Sequence, residues 1–188
     1  MRVIAGILRS RQLKSVPGLA VRPTPDRLRE ALFNVLAPRI EGAVFIDAYA
    51  GSGAVGIEAV SRGARHAILM ERNSQALAII RENLRSLAIE SGATVVRGKA
   101  SVLLPSYQAD IVFLDPPYDQ GKEYTDSLLA ISQTNCRLAI AQHASRLTLQ
   151  VQYGRLHKTR VLRQGDNSLS FYEAADEYPS HSFLSGQS

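Results

Sequence analysis

Short apolar runs alternate with amphipathic segments along the middle of this chain. Continuous apolar stretches lie at 43–46, 67–70, 111–114 and 138–141, and a β-branched stretch lies at 94–96. Such runs are typical of strands that are buried on both faces. Strands of this kind, separated by amphipathic helices, indicate a parallel sheet that is covered on both sides. The pattern therefore predicts an α/β fold.

Three helices follow from apolar residues that recur every three or four positions. The first is predicted to have Thr24 as its N-cap and Pro25 at its first position, and to end at Pro38. The second runs through 57–60 after a glycine-rich turn, and the third spans 76–87. Each is expected to pack one face against the sheet.

The two ends of the chain differ from this alternating middle. Residues 2–13 predict a short extended element in which Gly6 forms a turn or bulge. Residues 159–163 and 168–172 flank a Gln-Gly-Asp-Asn tetrapeptide, which is a hairpin signal. The sheet is therefore predicted to finish in an antiparallel pair.

The composition restricts the class of protein. With 188 residues, 45% of them hydrophobic and 21% charged, the chain has the size and balance of one globular domain. No run approaches the roughly 18 apolar residues of a membrane span, and the first residues do not form a signal peptide. The one cysteine, Cys136, cannot form an internal disulfide. This favours a cytoplasmic protein and an ordinary structural role for Cys136.

Basic residues are concentrated near the N-terminus. The net charge is +5 and the pI is about 9.6, which favours an anionic partner. Before residue 40, only Asp26 and Glu30 oppose the basic side chains of Arg2, Arg9, Arg11, Lys14, Arg22, Arg27, Arg29 and Arg39. This local excess predicts a surface that faces phosphates. The alternative is a solvated basic face without a partner.

Residues 51–56 match the G-x-G-x-x-G pattern between a predicted strand and a predicted helix. Glu71 lies 20 residues past Gly51, at the end of the next strand. Glycines let a ligand approach the backbone, and a carboxylate at this place can accept both hydroxyls of a ribose. The two features suit a nicotinamide dinucleotide or S-adenosylmethionine. A purely structural turn stays open as a third interpretation.

Asp47 discriminates between these two ligands. It lies four residues before Gly51, at the end of the first strand. A dinucleotide places its pyrophosphate at the N-terminus of the following helix, where a carboxylate would repel it. The sulfonium and ammonium groups of S-adenosylmethionine would instead be attracted. Asp47 therefore favours S-adenosylmethionine, unless its side chain only caps the end of the strand.

The tetrapeptide Asp115, Pro116, Pro117 and Tyr118 follows the fourth predicted strand directly. Ligands of open α/β sheets bind beyond the carboxyl ends of the strands, which places this motif beside the glycine turn. The Asp115 carboxylate and the Pro116 carbonyl can accept the hydrogens of an exocyclic base amine, so that its lone pair is free to attack a methyl group. A base can stack on the Tyr118 ring, which contributes roughly 1–3 kcal/mol. The motif predicts methyl transfer to a base amine.

With these motifs the chain resembles class I amino-methyltransferases and, more closely, the bacterial RsmD family of 16S ribosomal RNA guanine-N2 methyltransferases. The resemblance runs from residue 1 to about 173, and the matching stretches are 22–27, 29–33, 47–59, 61–64 and 115–118. It implies methylation of guanine 966 in the small-subunit RNA, with S-adenosylmethionine as cofactor. It also implies a Rossmann-like fold with a mostly parallel seven-stranded sheet, an antiparallel C-terminal hairpin and a small N-terminal extension.

The resemblance divides the chain into three parts. Residues 1–40 are expected to form a basic extension that contacts RNA and covers the cofactor, 41–173 the methyltransferase domain, and 174–188 a flexible tail. We expect a monomer that acts on 16S ribosomal RNA in the small subunit or its precursor.

The motifs and the resemblance together give three sets of candidate residues. Catalysis is expected from Asp115, Pro116, Pro117 and Tyr118. The cofactor is expected to contact Asp47, Ala50, Gly51, Ser52, Gly53, Glu71, Arg72, Lys99, Ala100 and Thr24. RNA is expected to contact Arg9, Arg11, Lys14, Arg22 and Arg27.

Two positions depart from the pattern of the family. Where methyltransferases of this class often place an Asp or Asn against the adenine amine, this chain has Lys99 and Ala100, so that only their main-chain groups would serve. Where the family often has an acid after the fifth strand, the chain has Gln142 and His143, and His143 is interpreted as structural. No His, Cys and carboxylate grouping has metal-ligand spacing, so no metal is expected.

Three other functions stay open at this point. A DNA adenine-N6 methyltransferase would use the same chemistry, although the chain has little room for a target-recognition region. A NAD-dependent dehydrogenase would use the glycine turn but would leave residues 115–118 without a role. An inactive RNA-binding module would use the basic segment alone.

Overall fold

The computed structural model describes residues 1–16, 26–117 and 121–175. The strands in these ranges are β1 Val44–Asp47, β2 His66–Glu71, β3 Ala93–Arg97, β4 Ile111–Leu114, β5 Leu138–Ala144, β6 Gln152–Tyr153, β7 Leu156–Gln164 and β8 Asn167–Ala174. The helices in these ranges are α1 Asp26–Ile40, α2 Ala54–Ser61, α3 Ser74–Ser86, α4 Ala100–Leu103 and α5 Gly121–Ser132.

The strands form one sheet in the order β3-β2-β1-β4-β5-β8-β7-β6. Strands β1 to β5 are parallel to one another, whereas β8 is antiparallel to β5 and β7 is antiparallel to β8. The chain passes from β1 outward to β2 and β3, and then returns to β4 on the other side of β1. This change of direction opens a crevice at the carboxyl ends of β1 and β4, where ligands of such sheets bind.

The sheet confirms the predicted architecture, although it has eight strands where seven were expected. The additional strand, β6, has two residues and pairs only with Leu156 and His157 of β7. A strand of this length has no hydropathy pattern from which it could be predicted. The C-terminal hairpin is formed by β7 and β8 as predicted, and β8 ends at Ala174, one residue past the expected domain boundary. Residues 176–188 of the predicted tail lie outside the described residues.

Three local expectations need correction. Helix α1 was predicted to end at Pro38 but continues to Ile40. A proline in the last turn removes only one backbone donor, and the burial of Leu36 and Ile40 favours this last turn. Helix α5 is not among the predicted helices, although its buried residues Leu128 and Ile131 recur at helical spacing. The segment 2–13 folds back on itself and is not one continuous strand. It bends at Gly6, as predicted, and its two arms pair through one bridge between Arg2 and Gln12 and through the bond from Val3 N–H to Arg11 O at 3.0 Å.

Apolar side chains fill the space on both faces of the sheet. On one face, α1, α2, α3 and the N-terminal segment cover β1, β2 and β4, with Val3 and Leu13 packed against α2 and α3. On the other face, α4 and α5 cover β4 and β5, with Tyr124, Leu128 and Ile131 in the core. Both faces are thus buried, as the continuous apolar strands predict.

The N-terminal segment is held to α2 by its backbone. The Glu58 side chain is fully buried, and its two carboxylate oxygens accept the N–H groups of Ile4 at 2.8 Å and Ala5 at 3.0 Å. Ser61 accepts two further backbone donors of the segment. Its carbonyl accepts the N–H of Ile7 at 2.8 Å, and its hydroxyl accepts the N–H of Leu8 at 3.0 Å. These four bonds hold the bend of the segment on α2.

Arg29 does not belong to the basic surface that the sequence predicts. Its side chain is fully buried, and its Nη2 donates to the carbonyl of Arg2 at 2.6 Å and to Asp26 Oδ1 at 3.0 Å. A charge-assisted bond of this kind contributes about 1.5–3 kcal/mol. Arg29 therefore ties α1 to the start of the chain.

Gly6→Ala should loosen the N-terminal segment. Gly6 has a φ of +81°, and a Cβ at this position would lie 1.8 Å from the carbonyl oxygen of Ser61. The segment must therefore move away from α2, which breaks the bonds to Glu58 and Ser61. Hydrogen exchange at Ile4, Ala5 and Leu8 should become at least tenfold faster, and urea unfolding should show a loss of about 2 kcal/mol or more.

Gly42→Ala is the matched control, because Gly42 has a φ of +73° but no atom within 4 Å of the added Cβ. This variant bears only the cost of the left-handed backbone, about 1–2 kcal/mol. It should leave exchange at Ile4 and Ala5 unchanged. Equal exchange rates in both variants would show that the contact with Ser61 does not hold the segment.

Candidate active site at the carboxyl edge of the sheet

The loops after β1, β2, β3 and β4 lie side by side at one edge of the sheet, because these strands are parallel and adjacent. Three backbone bonds of 3.0 Å connect the loops and strand ends, from Ala48 N–H to Phe113 O, from Ala50 N–H to Met70 O, and from Gly98 N–H to Glu71 O. The structure therefore brings the predicted site residues after these four strands to one edge.

The turn between β1 and α2 uses two glycines for different reasons. Gly51 has a φ of +54° and Gly53 a φ of +82°, a region that favours glycine. A Cβ on Gly53 would lie 3.0 Å from Leu69 Cδ2, so that this glycine lets α2 pack closely on β2. A Cβ on Gly51 would meet no atom within 4 Å. The turn is therefore open beside Gly51, where a ligand can approach the backbone.

Glu71 joins the glycine turn to the end of β2. Its carboxylate accepts three backbone N–H groups, from Gly51 at 2.9 Å, Arg72 at 2.8 Å and Asn73 at 2.8 Å. A carboxylate has about four lone-pair positions. One position remains for a ribose hydroxyl, and a second hydroxyl would have to replace a backbone N–H. The side chain of Arg72 is exposed beside this carboxylate.

Asp47 lies at the end of β1 with 1% of its surface exposed. Its Oδ2 accepts the N–H of Gly56 at 2.9 Å, which holds the first turn of α2 on the strand. Burial raises the pKa of Asp47 to about 7; the Gly56 hydrogen bond opposes this rise, and the nearby Glu71 carboxylate adds to it. This contact corresponds to the interpretation of Asp47 as a cap, and contact with a cofactor stays a prediction.

Helix α5 fixes the loops after β1 and β3. The Tyr49 hydroxyl is 2.9 Å from Glu123 Oε2 and 2.8 Å from Ser127 Oγ, and burial raises the pKa of this tyrosine. Lys99 Nζ lies 3.4 Å from Glu123 Oε1 and 3.9 Å from Asp126 Oδ2. The Lys99 ammonium is therefore drawn towards α5, while the Lys99 backbone caps α4 and Ala100 is buried.

Asn83 of α3 connects the glycine turn to the N-terminal segment. Its Nδ2 donates to Ser52 O at 2.9 Å and to Lys14 O at 3.0 Å, and its Oδ1 accepts the Lys14 N–H at 2.8 Å. Sequence reasoning missed this residue, together with Tyr49 and Glu123. For Asn83 a signal was present, because it is a polar residue on the apolar face of α3, between Ile80 and Leu84.

The predicted catalytic motif begins directly after β4. Asp115 is half-buried, Pro116 is buried and Pro117 is exposed. The bond from Ala48 N–H to Phe113 O places the start of this loop next to the loop that carries the glycine turn. Of the other predicted site residues, Tyr118, Thr24 and Arg22 lie outside the described residues.

The basic N-terminal residues fall into two groups. Arg11 Nη2 donates to Ser86 O at the end of α3 at 3.0 Å, and Lys14 forms an ion pair with Glu82. Arg9 and Arg27 are exposed, and the described ion pairs include neither of them. Two of the four described candidates for RNA contact are thus partly engaged with α3.

Cys136 and His143 have structural roles, in agreement with their interpretation from sequence. Burial raises the pKa of the Cys136 thiol to about 12, and its Sγ donates to Leu138 O at 3.3 Å. The ring nitrogens of His143 lie 2.9 Å from Ala144 O and 2.8 Å from Ser170 Oγ. Neither side chain is available for chemistry at the site.

A cavity of about 910 Å³ lies at the opposite edge of the sheet. Its walls include Ile111 and Leu138, which begin β4 and β5, and the ion pair between Arg39 and Glu173 at 2.6 Å. None of the predicted site residues lines it. Across the described ranges, no three His, Cys, Asp or Glu residues form a group that could hold a metal ion. No helix in the same ranges is long and apolar enough to cross a membrane.

Comparison with known proteins decides the family. A sequence profile of the family described as conserved hypothetical protein 95 matches residues 1–173. YlbH of Bacillus subtilis (strain 168), which is named as an rRNA methyltransferase, is 34% identical over 183 residues, or 92% of this chain and 98% of YlbH. Ribosomal RNA small subunit methyltransferase D of Escherichia coli (strain K12) is 42% identical over 123 residues, or 64% of this chain and 62% of that protein. The chain belongs to this family, the RsmD family of methyltransferases.

Solved structures agree with this membership of the RsmD family. The structure of yhhF from Escherichia coli, named as a methyltransferase, has a TM-score of 0.77 at 34% identity and covers 93% of this chain and 97% of yhhF. A structure of a Thermus thermophilus protein has a TM-score of 0.78 at 33% identity and covers 93% of this chain and 99% of its own. The family and the Rossmann-like fold predicted from the sequence are thus confirmed.

Asp47 should make the free energy of unfolding of this RsmD-family protein depend on pH. Its pKa of about 7 lies above the usual 3.8, so that the folded state holds a proton more tightly than the unfolded state. The resulting stabilisation is complete below about pH 4 and is lost as the pH rises to about 7. Asp47→Asn keeps an oxygen for the Gly56 N–H and removes the titration. Relative to the parent, this variant should gain up to about 4 kcal/mol between pH 4 and pH 7.

Urea unfolding at several pH values, followed by circular dichroism, measures this difference. Asp110→Asn is the control, because Asp110 is an exposed aspartate at the start of β4 that also accepts a backbone N–H, from Val44 at 2.8 Å. A difference between Asp47→Asn and the parent that stays constant across the pH range would contradict the raised pKa of Asp47.

Proposed function

We propose that this protein transfers a methyl group from S-adenosylmethionine to the exocyclic N2 amine of a guanine in 16S ribosomal RNA of the small subunit. The relatives named as ribosomal RNA small subunit methyltransferase D support the substrate class. The observation that carries the proposal is the placement of Asp115 and Pro116 directly after β4, beside the glycine turn and Glu71. The proposed site of the methyl donor and the proposed site of the target amine thereby lie at one crevice.

The residues around the glycine turn suit the proposed cofactor. The space beside Gly51 admits a ligand next to the backbone, and Glu71 has a lone-pair position free for a ribose hydroxyl. Glu71 and the ionised form of Asp47, whose pKa is about 7, give this crevice a negative potential, which favours a cation. When bound, S-adenosylmethionine supplies an electrophilic methyl group on a sulfonium. The main-chain groups of Lys99 and Ala100, at the start of α4, are proposed to border the adenine.

Asp115 and Pro116 are proposed to hold the target amine. The carboxylate and the Pro116 carbonyl accept its two hydrogens, which favours a pyramidal nitrogen and directs the lone pair towards the methyl group. Pro116 and Pro117 have no N–H, so they offer no competing donors. After transfer the nitrogen carries an extra proton, which the Asp115 carboxylate is placed to take. Positioning and electrostatics thus account for most of the proposed rate enhancement.

RNA is proposed to reach this crevice past the N-terminal segment. Arg9 is exposed on this segment and Arg27 on α1. Arg11 and Lys14 can exchange their contacts with α3 for phosphates. Charged contacts of this kind position a nucleic acid without reading its sequence. Incubation with tritiated S-adenosylmethionine and, separately, small-subunit particles, naked ribosomal RNA and DNA tests the whole proposal. A labelled adenine in DNA, or no labelled base at all, would overturn it.

Glu71→Ala should weaken S-adenosylmethionine binding by roughly tenfold to a hundredfold, because a charge-assisted bond to a ribose hydroxyl contributes about 1.5–3 kcal/mol. Calorimetry on the purified variant measures this. Glu41→Ala, which removes an exposed glutamate at the opposite edge of the sheet, should bind like the parent.

Because Glu71 also accepts three backbone N–H groups, its loss affects the turn itself. Glu71→Gln keeps one oxygen acceptor for these groups and loses the charge, and it should fall between the parent and the alanine variant in affinity. Parental affinity in Glu71→Ala would remove Glu71 from the cofactor site.

Asp115→Asn should reduce methyl transfer by about a hundred- to a thousandfold and change cofactor affinity only a few-fold. Asparagine keeps the size of the side chain but loses the charge, and it presents an NH₂ donor to an amine that is itself a donor. Single-turnover methylation of small-subunit particles, run beside cofactor calorimetry, separates the two effects.

Asp110→Asn is the control for this experiment as well, since Asp110 lies at the other end of β4 and bonds the backbone of Val44. It should lower stability slightly and leave the single-turnover rate at the parental value. A near-parental rate in Asp115→Asn would exclude the proposed role of its carboxylate.

A further inference from the structure

Three exposed arginines form a second basic surface around strand β7, away from the N-terminal segment. Arg146 lies in the loop after β5, and Arg160 and Arg163 lie on β7. We call these three residues the distal basic surface. Within the described ranges, no carboxylate forms an ion pair with any of them. The nearest acid along the chain is the exposed Asp166 in the turn between β7 and β8.

The topology places this surface at the same edge as the candidate active site. Strand β8 is antiparallel to β5, and β7 is antiparallel to β8, so that β7 runs in the same direction as β5 and β4. Its carboxyl end, where Arg163 lies, therefore points towards the edge that carries the glycine turn and Asp115.

The register also gives the position of Arg163 along the strand direction. Arg163 pairs with Ser168, which pairs with His143, two residues beyond the Ala141 that pairs with Leu114 at the end of β4. Two residues of strand correspond to about 7 Å. Along the strand direction, Arg163 thus lies about as far as the loop that begins with Asp115.

The lateral distance is short on the scale of a nucleic acid. Strands β4 and β7 are separated by three strand spacings, because β5 and β8 lie between them. At about 4.8 Å for each spacing, the separation is about 14 Å. With a phosphate every few ångströms, an RNA strand whose target base occupies the crevice covers this distance within a few nucleotides.

The local structure presents the two arginines of β7 on both faces of the strand. Arg160 and Arg163 are three residues apart and therefore point to opposite faces. Beyond Leu156 and His157, β7 has no strand partner other than β8 among the described residues, so that both side chains flank an open edge. The Arg160 guanidinium lies over the Phe171 ring, 5.9 Å from its centre, whereas Lys158 Nζ donates to Leu149 O at 2.6 Å.

We propose that the distal basic surface binds the phosphate backbone of the RNA substrate. RNA is then held at two places, by the N-terminal segment on α2 and α3 and by the distal basic surface on β7, with the target base between them. The inference rests on the proposed function for the identity of the RNA. Exposed guanidinium groups without carboxylate partners are the groups expected to bind phosphates.

The test compares the double variant Arg160→Gln/Arg163→Gln with the parent in binding naked small-subunit ribosomal RNA over a salt series. Each lost phosphate contact reduces the magnitude of the slope of log K against log salt by about 0.7–0.9, so that the loss of two contacts should reduce it by about 1.4–1.8. Cofactor affinity by calorimetry should stay parental. Arg65→Gln/Arg137→Gln removes two exposed arginines just before β2 and β5, at the opposite edge, and should keep the parental slope.

Each outcome decides the proposal. A parental slope in Arg160→Gln/Arg163→Gln overturns it, as does a loss of binding to small-subunit particles without a loss on naked RNA, which would indicate an acidic protein partner.

Charges on an edge strand also prevent its pairing with other molecules. If the double variant self-associates in gel filtration, Arg160→Lys/Arg163→Lys keeps both charges and must restore the parental slope. A parent that binds RNA but does not methylate it refutes the proposed function alone.

Discussion

The carboxylate of Glu71 is the contact on which the rest of the site depends. It accepts backbone donors from Gly51 in the turn after β1 and from Arg72 and Asn73 after β2. Two loops that leave different strands are thereby held by one side chain, and Asn73 in turn caps α3. A ribose hydroxyl that binds Glu71 would join a network that is already formed. The proposed cofactor site would therefore be preorganised, and little ordering would be needed on binding.

The N-terminal segment is attached to the same network from the other side. Asn83 bonds Ser52 in the glycine turn and Lys14 in the segment, and Glu58 in α2 holds Ile4 and Ala5. Both side chains are buried, so that loss of either bond set would leave unpaired polar groups, at a cost of about 1–3 kcal/mol each. The segment that carries the basic residues is therefore part of the folded domain, and RNA contacts there would act on the turn through two buried residues.

Features with a local cause could be predicted from the sequence. Strands β1, β2, β4 and β5 were found because both faces are buried. The glycine turn, Glu71 and Asp115 were found because each lies at the end of a strand, at the edge where ligands bind. Features that depend on distant partners could not be found in this way. Glu58 and Asn83 bind the backbone of residues more than 50 positions away, and β6 exists only because β7 lies beside it. Arg29 was assigned to the surface, because no hydropathy pattern shows that the carbonyl of Arg2 lies beside it in the interior.

The distribution of charge along the carboxyl edge follows from what the proposed reaction must hold together. Acidic side chains occupy the middle of the edge, with Asp47, Glu71 and Asp115 after β1, β2 and β4, and they suit a cationic methyl donor. The same carboxylates would repel the phosphates of an RNA. Exposed arginines lie instead on the N-terminal segment and on β7, which is about 14 Å from β4. The target base can then enter the acidic crevice while the RNA backbone stays on the basic surfaces.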